Sequence, residues 1–194
     1  MVGIIDNVEK AINSKWKNIH DQIWIIGSYK SETTIAASSY LEYFHGQITG
    51  RPPKIDLVDE KFCQGFLRDA ISKGFVVSSH DISDGGLAIA LAESCILSAK
   101  GATIELEKDL NRVDNLLFGE GGSRIIFSID KMKEKEWFNY LKKNIINSQS
   151  SVYVKKIGYV SIETLKIKIQ DKNICNIGVE ELSEKFNNSI SGHF

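Results

Sequence analysis

Apolar positions recur along this chain with two periods, one typical of strands and one typical of helices. Continuous apolar runs and strict two-residue alternation predict strands, at residues 22–27, 75–77, 102–107, 125–129, 152–160, 164–170 and 174–177. Helical spacing predicts helices, at residues 38–44, 57–73, 87–99, 109–118, 131–145 and 179–186. Helices and strands mix throughout, which predicts an α/β (α+β) sandwich, a mixed β-sheet with helices on its faces.

Two of the predicted helices make specific predictions about the core. Asp56 is expected to cap the helix that follows it, and Gly74 to end that helix in a left-handed conformation. The predicted buried face of this helix comprises Leu57, Phe62, Phe66, Leu67, Ala70 and Ile71. The predicted core residues of the helix at 131–145 are Met132, Trp137, Tyr140 and Leu141. Both helices are therefore expected to pack against the sheet.

Turns and the chain start give further predictions. Residues 1–5 are predicted to be the end of a strand, and residues 6–16 a turn or a short helix. Both prolines of the chain lie in Gly50-Arg51-Pro52-Pro53, which predicts a surface connection. Lys172-Asn173 is predicted to be a tight hairpin turn.

Composition is that of an ordinary globular domain. The chain has 194 residues, 42% hydrophobic and 25% charged, which is enough to bury a core without disulfides. A net charge of −1 suggests neither a nucleic-acid nor a membrane partner. The three cysteines form no metal-binding pattern and suit a reducing cytoplasm. We therefore expect residues 1–194 to form a single cytoplasmic domain.

An acidic glycine turn carries the most distinctive chemistry, between the strand at 75–77 and the next helix. Free N–H groups at a helix start can bind phosphate, and Gly85 and Gly86 permit close approach to the backbone. The carboxylates of Asp81 and Asp84 could instead hold a hydrated Mg²⁺. In the structural alternative, Asp84 simply caps the helix and the glycines form the turn. The turn alone favours this structural alternative.

A second glycine-rich turn occupies residues 119–124. The backbone of Gly121 and Gly122 could form a nest for an anion. Glu120 and Arg124 could face the first turn and form a polar cleft with its carboxylates, or they could form a structural ion pair with each other. The sequence leaves both alternatives open.

Several stretches together resemble the C-terminal domain of the phosphoribosylformylglycinamidine synthase (PurL) family. The strongest is HDISDGGLAIALAE at residues 80–93. Weaker matches are MVGIIDNVEKA at 1–11, GQITGRPPKIDL at 46–57 and LFGEGGSRIIFSI at 117–129. Order and spacing agree across roughly residues 1–130, and the remainder resembles the family less closely.

The resemblance implies a fold like the C-terminal domain of AIR synthase and a role in an ATP-dependent ligase of de novo purine biosynthesis. The parent reaction converts formylglycinamide ribonucleotide, ATP and glutamine-derived ammonia to formylglycinamidine ribonucleotide, ADP and phosphate. Mg²⁺ and ATP are implied for the full-length enzyme, and none is assigned to this domain. The chain is expected to be the last domain of a longer enzyme, with the preceding domains, a glutamine amidotransferase and small accessory subunits as partners.

The family takes its catalytic histidine and most of its ligands from preceding domains. No residue here is therefore predicted to be catalytic, His80 included, and the domain alone is expected to be inactive. The candidate phosphate- or nucleotide-binding residues are His80, Asp81, Ser83, Asp84, Gly85, Gly86, Gly121, Gly122 and Arg124. The candidate metal ligands are Asp81, Asp84 and Glu120.

Two departures from the family pattern weaken these sites. Many relatives carry Gly-Gly-Ser-Glu-Tyr-Leu where this chain has Ala-Ala-Ser-Ser-Tyr-Leu at 36–41. Relatives often carry Ser-Gln where this chain has Gly121-Gly122. A scaffold role is therefore favoured over chemistry. A stand-alone nucleotide-binding or regulatory module, and the C-terminal domain of another superfamily enzyme such as aminoimidazole ribonucleotide synthetase, are the alternatives.

Overall fold

The computed structural model describes residues 4–5, 7–107, 112–146 and 151–191, and a mixed sheet carries the fold within them. Its strands are β1 (Gln22–Ser28), β2 (Val76–Asp81), β3 (Gly101–Leu106), β4 (Ile125–Ile129), β5 (Val152–Ser161), β6 (Thr164–Ile169) and β7 (Lys172–Gly178). They lie in the order β2-β4-β1-β5-β3-β6-β7. The β3–β6 pair is parallel and the other neighbouring pairs are antiparallel, so the predicted mixed sheet is confirmed.

Helices cover both faces of this sheet. The helices of the described residues are α1 (Ser39–His45), α2 (Leu57–Ser72), α3 (Gly86–Ser98), α4 (Val113–Phe118), α5 (Glu134–Leu141) and α6 (Val179–Ser191), and all but α1 contribute to the cores. Short 3₁₀ turns lie at Val8–Lys10 and Lys131–Lys133, and a π-helical turn at Lys142–Ile146. One core joins the sheet to α3, α4 and α6, and the other joins it to α2 and α5. The predicted sandwich is therefore confirmed.

Strand β1 lies near the centre of the sheet, and all of its residues are buried. Ile23 and Ile25 belong to the core on the α3 side, whereas Trp24 and Ile26 belong to the core on the α2 side. A strand covered on both faces needs apolar residues at successive positions, which is why residues 23–26 form a continuous apolar run.

Helix α2 begins and ends as predicted. The Asp56 side chain accepts from the N–H groups of Val58 (3.1 Å) and Asp59 (2.9 Å). Gly74 has φ +71°. The buried face is confirmed at Phe66, Leu67 and Ala70, and Phe62 and Ile71 are half-buried.

The prediction that Leu57 is buried is wrong, since this side chain is 76% exposed. Asp59 occupies the inward position of the first turn of α2 and is 1% exposed. Two residues along an α-helix are about 200° apart around its axis. Because Asp59 is directed to the sheet, Leu57 faces solvent.

The predicted helix at 131–145 is divided into a 3₁₀ turn, α5 and a π-helical turn. Burial of Trp137, Tyr140 and Leu141 is confirmed. Burial of Met132 is wrong, because Met132 is 88% exposed in the 3₁₀ turn that precedes α5. The chain is not α-helical at Met132, so the spacing between Met132 and Trp137 does not place Met132 on the buried face of α5.

Other differences concern element ends. The β6–β7 turn lies at Gln170 and Asp171, with φ +46° and +62°, and not at Lys172-Asn173. Two consecutive positive φ angles match the twist of a two-residue hairpin. Ile4 and Ile5 are exposed and not in a strand, while residues 1–3 and 6 lie outside the described residues. Of the helix predicted at 109–118, residues 109–111 also lie outside them.

A buried carboxylate joins α2 to the end of the sheet. The Asp59 carboxylate accepts a hydrogen bond from Ser28 Oγ (2.6 Å) and another from Ser151 Oγ. Burial by itself raises the pKa of Asp59, but the two hydroxyl donors and the charge of Lys30 outweigh it and hold the pKa below 3.8. Asp59 therefore stabilises the folded chain in its ionised form.

We expect Asp59 to contribute to acid sensitivity. Because its folded pKa is lowered, its contribution is fully present above the unfolded pKa and is lost as pH falls through the folded value. The unfolding free energy of the wild type should therefore fall more steeply below about pH 4 than that of Asp59→Asn, by at most about 1.4 kcal/mol per pH unit. Urea unfolding at several pH values measures this. Ser28→Ala/Ser151→Ala should reduce the slope as well, and an unchanged slope in both variants would contradict the assignment.

Candidate functional site

The acidic glycine turn lies at the edge of the sheet, where β2 leads into α3. Strand β2 is longer than predicted and includes His80 and Asp81. These two residues pair with Ile126 and Ile125 of β4, so the ladder continues to the end of the strand. The turn proper is therefore residues 82–85, and Asp81 precedes it.

The two glycines of the turn adopt backbone conformations that glycine favours. Gly85 has φ +77° and Gly86 has φ +70°. A Cβ on Gly86 would lie 2.7 Å from the carbonyl carbon of Phe118 and 2.8 Å from the carbonyl oxygen of Gly119. Gly86 thus allows α3 to contact the backbone at the end of α4. The N-cap of α3 is Gly85, with no side-chain cap, so the alternative in which Asp84 caps this helix is wrong.

The side chain of Glu120 supplies the acceptor that α3 lacks. Its Oε1 accepts from Gly85 N (2.8 Å) and from Ser39 N (2.9 Å). Its backbone pairs with Thr34 in an isolated antiparallel bridge. One carboxylate therefore joins the N-termini of α1 and α3, where the helix dipole favours negative charge. We call this arrangement the Glu120 clamp.

We expect loss of the clamp to destabilise the chain. Glu120→Ala leaves two backbone N–H groups without their acceptor, which should cost about 1–3 kcal/mol. Glu120→Gln keeps an acceptor oxygen and should cost less. Asp84→Ala, at an exposed residue next to Gly85 in the acidic turn, should stay within about 0.5 kcal/mol of wild type. Urea unfolding compares the three variants. Equal effects for Glu120→Ala and Asp84→Ala would show that the clamp contributes nothing.

His80 joins β2 to α3. Its Nε2 lies 3.1 Å from Glu93 Oε2, and its Nδ1 lies 2.7 Å from the carbonyl oxygen of Asp81. Both ring nitrogens therefore have partners inside the domain. Asp81, Ser83 and Asp84 are exposed around it.

The second turn packs closely against two other segments. A Cβ on Gly121 would lie 2.3 Å from the carbonyl oxygen of Glu32, and one on Gly122 would lie 2.9 Å from the side chain of Ile55. Ser123 Oγ donates to Glu60 Oε2 (2.6 Å), which joins the turn to α2. The glycines of this turn thus have a packing role in the structure.

Arg124, at the end of the second turn, is 7% exposed. Its Nη1 donates to the carbonyl oxygen of Gly119 (3.1 Å). Burial lowers the pKa of Arg124, and the neighbouring Tyr153 hydroxyl offsets part of this effect. Among the described residues Arg124 forms no ion pair with Glu120, so the structural ion pair is not observed. Arg124 instead holds the backbone of its own turn.

The structure brings together only part of the predicted constellation. Gly85 and Glu120 are in direct contact, and Asp81 lies beside His80. Within the described ranges, no group of three or more His, Cys, Asp or Glu side chains could hold a metal ion. Asp81, Asp84 and Glu120 therefore do not form such a group, and their assignment as ligands stays a prediction.

Two groups that contact the candidate site residues were not predicted from the sequence. They are the backbone N–H of Ser39, which donates to Glu120, and the carboxylate of Glu93, which contacts His80. Ser39 participates through its backbone N–H. Ala37 has φ +53°, a conformation that favours glycine. Backbone strain therefore lies two residues before the start of α1.

The sheet order, the helices on both faces and the paired glycine turns define an α+β sandwich domain with a strand–turn–helix junction at one sheet edge. Residues 18–159 match the family described as AIR synthase related protein, C-terminal domain. The chain belongs to this family.

The relatives of the chain are much longer than the chain itself. It is 86% identical over 194 residues to phosphoribosylformylglycinamidine synthase subunit PurL of Prochlorococcus marinus strain MIT 9312, covering 100% of the chain and 25% of that protein. The PurL subunit of strain NATL1A is 37% identical and covers 98% of the chain, again over 25% of its own length. The chain thus spans about a quarter of these relatives, and its predicted resemblance to PurL is confirmed.

Solved structures share the fold at low sequence identity. PurLQS from Thermotoga maritima matches with a TM-score of 0.68 and 15% identity, over 91% of this chain and 28% of that chain. T. maritima PurL complexed with ATP matches with a TM-score of 0.67 and 16% identity, over 91% of this chain and 28% of that chain. E. coli HypE, a hydrogenase maturation protein, matches with a TM-score of 0.54 and 12% identity, over 86% of this chain and 51% of that chain. None of the helices in the described ranges is long and apolar enough to cross a bilayer.

Proposed function

We propose that this chain acts as the C-terminal domain of a phosphoribosylformylglycinamidine synthase in de novo purine biosynthesis. The observation that carries the proposal is the 86% identity to a PurL subunit across the full 194 residues. The relatives are about four times as long as this chain, so the reaction would belong to the complete enzyme, and this domain alone would be inactive.

The proposed reaction of the complete enzyme is an ATP-dependent amide-to-amidine conversion. ATP phosphorylates the amide oxygen of formylglycinamide ribonucleotide, and ADP leaves. Ammonia derived from glutamine then displaces the phosphate and gives formylglycinamidine ribonucleotide. Mg²⁺ would offset the phosphate charge. A glutamine amidotransferase and small accessory subunits would be the partners, and the cytoplasm the location.

Within that enzyme, we propose that the domain serves mainly as a scaffold. The Glu120 clamp supports this role, because an internal carboxylate already accepts from N–H groups at the starts of α1 and α3. An external phosphate at Gly85 would have to displace that carboxylate or lie beside it, where like charges repel. His80 is likewise occupied by Glu93.

A chimeric synthase tests the proposed function. Residues 1–194 would replace the matching quarter of the MIT 9312 PurL subunit, and the purified protein would be assayed for ADP release that depends on formylglycinamide ribonucleotide and ammonia. We expect activity near that of the parent subunit. A chimera that is folded by circular dichroism and gel filtration, yet inactive, would contradict the proposal. The isolated chain is the control and should release no ADP.

The second candidate role is an auxiliary nucleotide site at residues 80–86. Two exposed carboxylates, Asp81 and Asp84, flank a turn with glycines and a helix start, which is the observation that favours it. Under this alternative, saturable binding of Mg-ADP to the isolated chain would depend on Asp84.

A further inference from the structure

An exposed apolar surface runs from α1 to the start of α2. Of residues 42–58, all are exposed except Pro53 and Asp56, which are half-buried. Large apolar side chains in this stretch are between 50% and 82% exposed, namely Tyr43, Phe44, Ile48, Ile55, Leu57 and Val58. We call residues 42–58 the apolar arm. So many exposed apolar side chains in one continuous segment are typical of an interaction surface.

Helix α1, which begins the arm, has little support from the rest of the domain. None of its seven residues is buried. Tyr40 stacks on Phe118, with ring centroids 4.8 Å apart. A helix of this length is marginal in water without tertiary packing. Its outward aromatic side chains, Tyr43 and Phe44, therefore gain most if another surface covers them.

A groove continues the arm along α2. It has a volume of about 520 Å³ and lies between α2 and α5, where Val58, Phe62, Phe66 and Tyr140 contribute to its walls. Val58 belongs to both the arm and the groove. The exposed cations Arg51, Lys54 and Lys61 lie on or next to the arm. Exposed carboxylates lie there as well, namely Glu42, Glu32 beside Lys54, and Asp69 in the groove. The surface thus suits an apolar partner with charged residues of both signs at its edge.

We infer that the apolar arm docks on the part of the synthase polypeptide that lies outside residues 1–194. This inference rests on the proposed function, since this chain matches 25% of the PurL relative and the rest of that relative lies outside the match. Burial of the arm against that polypeptide would support α1 and, through the clamp at Ser39, the start of α3. The partner is therefore in the same polypeptide, with apolar side chains at the contact.

Hydrogen–deuterium exchange on the chimera tests this inference. Amides of residues 42–58 are expected to exchange at least about tenfold more slowly in the chimera than in the isolated chain. Ile162, in the β5–β6 turn, is 66% exposed outside the arm and provides the control segment. Its amide should exchange equally in both proteins. Unchanged exchange in the arm would overturn the inference, and so would equal protection of the control segment.

Matched substitutions test whether the protection comes from the apolar side chains of the arm. Phe44→Ser/Ile48→Ser should abolish the protection of the arm in the chimera, whereas Ile162→Ser should leave it intact. Protection of the arm that appears in the isolated chain as its concentration rises would assign the surface to a second copy and overturn the inference. Ligase activity reports the proposed function separately. An active chimera with an unprotected arm contradicts only the docking surface, and an inactive chimera with a protected arm contradicts only the proposed function.

Discussion

Gly86→Ala is expected to lower the unfolding free energy of the chain by about 3–5 kcal/mol. The residue has φ +70°, which is strained for any side chain. An added Cβ would also lie 2.7 Å from the backbone of Phe118, and backbone cannot rotate away as a side chain can. Strain and overlap act together, so α3 must shift from α4 or the turn must change conformation. Urea unfolding of the isolated chain measures the loss.

The matched control is Gly65→Ala in the middle of α2. A Cβ on Gly65 meets nothing within 4 Å, and its φ is not positive. Alanine has a higher helix propensity than glycine, so this variant should be stabilised by about 0.5–1 kcal/mol. The two glycine-to-alanine substitutions would then change the unfolding free energy in opposite directions, because the backbone environments of the two glycines differ. If Gly86→Ala were as stable as Gly65→Ala, the close approach of α3 to α4 would be refuted.

Trp137→Ala is expected to cost about 3–5 kcal/mol. Trp137 is fully buried at the centre of the core on the α2 side. Its ring lies 5.7 Å from that of Trp24 and 5.6 Å from that of Phe127, both edge to face. Alanine would leave a cavity that these rings could fill only in part. The m-value should stay unchanged, because the folded surface area changes little.

Two controls separate the cavity from other effects. Trp137 Nε1 has no hydrogen-bond partner in the part of the chain that the structure describes. Trp137→Phe therefore loses no hydrogen bond and should cost clearly less than Trp137→Ala. Met132→Ala should stay within about 0.5 kcal/mol of wild type, because Met132 is 88% exposed. A large cost for Met132→Ala would restore the sequence-based prediction that Met132 is buried.

Local signals were sufficient for much of the fold. The Asp56 cap, the left-handed Gly74 and the buried run of β1 depend on neighbouring residues, and all three were predictable. The errors at Leu57 and Met132 have another origin. Each residue has the right spacing from buried neighbours, but tertiary structure decides whether it is buried. Asp59 takes the inward position near Leu57, and the chain is not yet α-helical at Met132.

The site was less predictable than the fold for a similar reason. Glu120 and Gly85 are 35 residues apart in sequence, and Glu120 and Ser39 are 81 apart. No local pattern indicates that one carboxylate joins these two helix starts. The residue types suggested an anion site, but the anion at Gly85 is part of the chain itself. The roles of Asp81 and Asp84 therefore stay predictions that only binding data can decide.

Calorimetric titration of the isolated chain with Mg-ADP tests the scaffold role most directly. If the Glu120 clamp occupies the helix starts, the wild-type chain should give no saturable heat at millimolar ligand. Glu120→Ala measured in parallel would show whether removing the internal carboxylate allows a phosphate to bind. Saturable heat from the wild type that is lost in Asp84→Ala would contradict the account and establish the acidic turn as a nucleotide site.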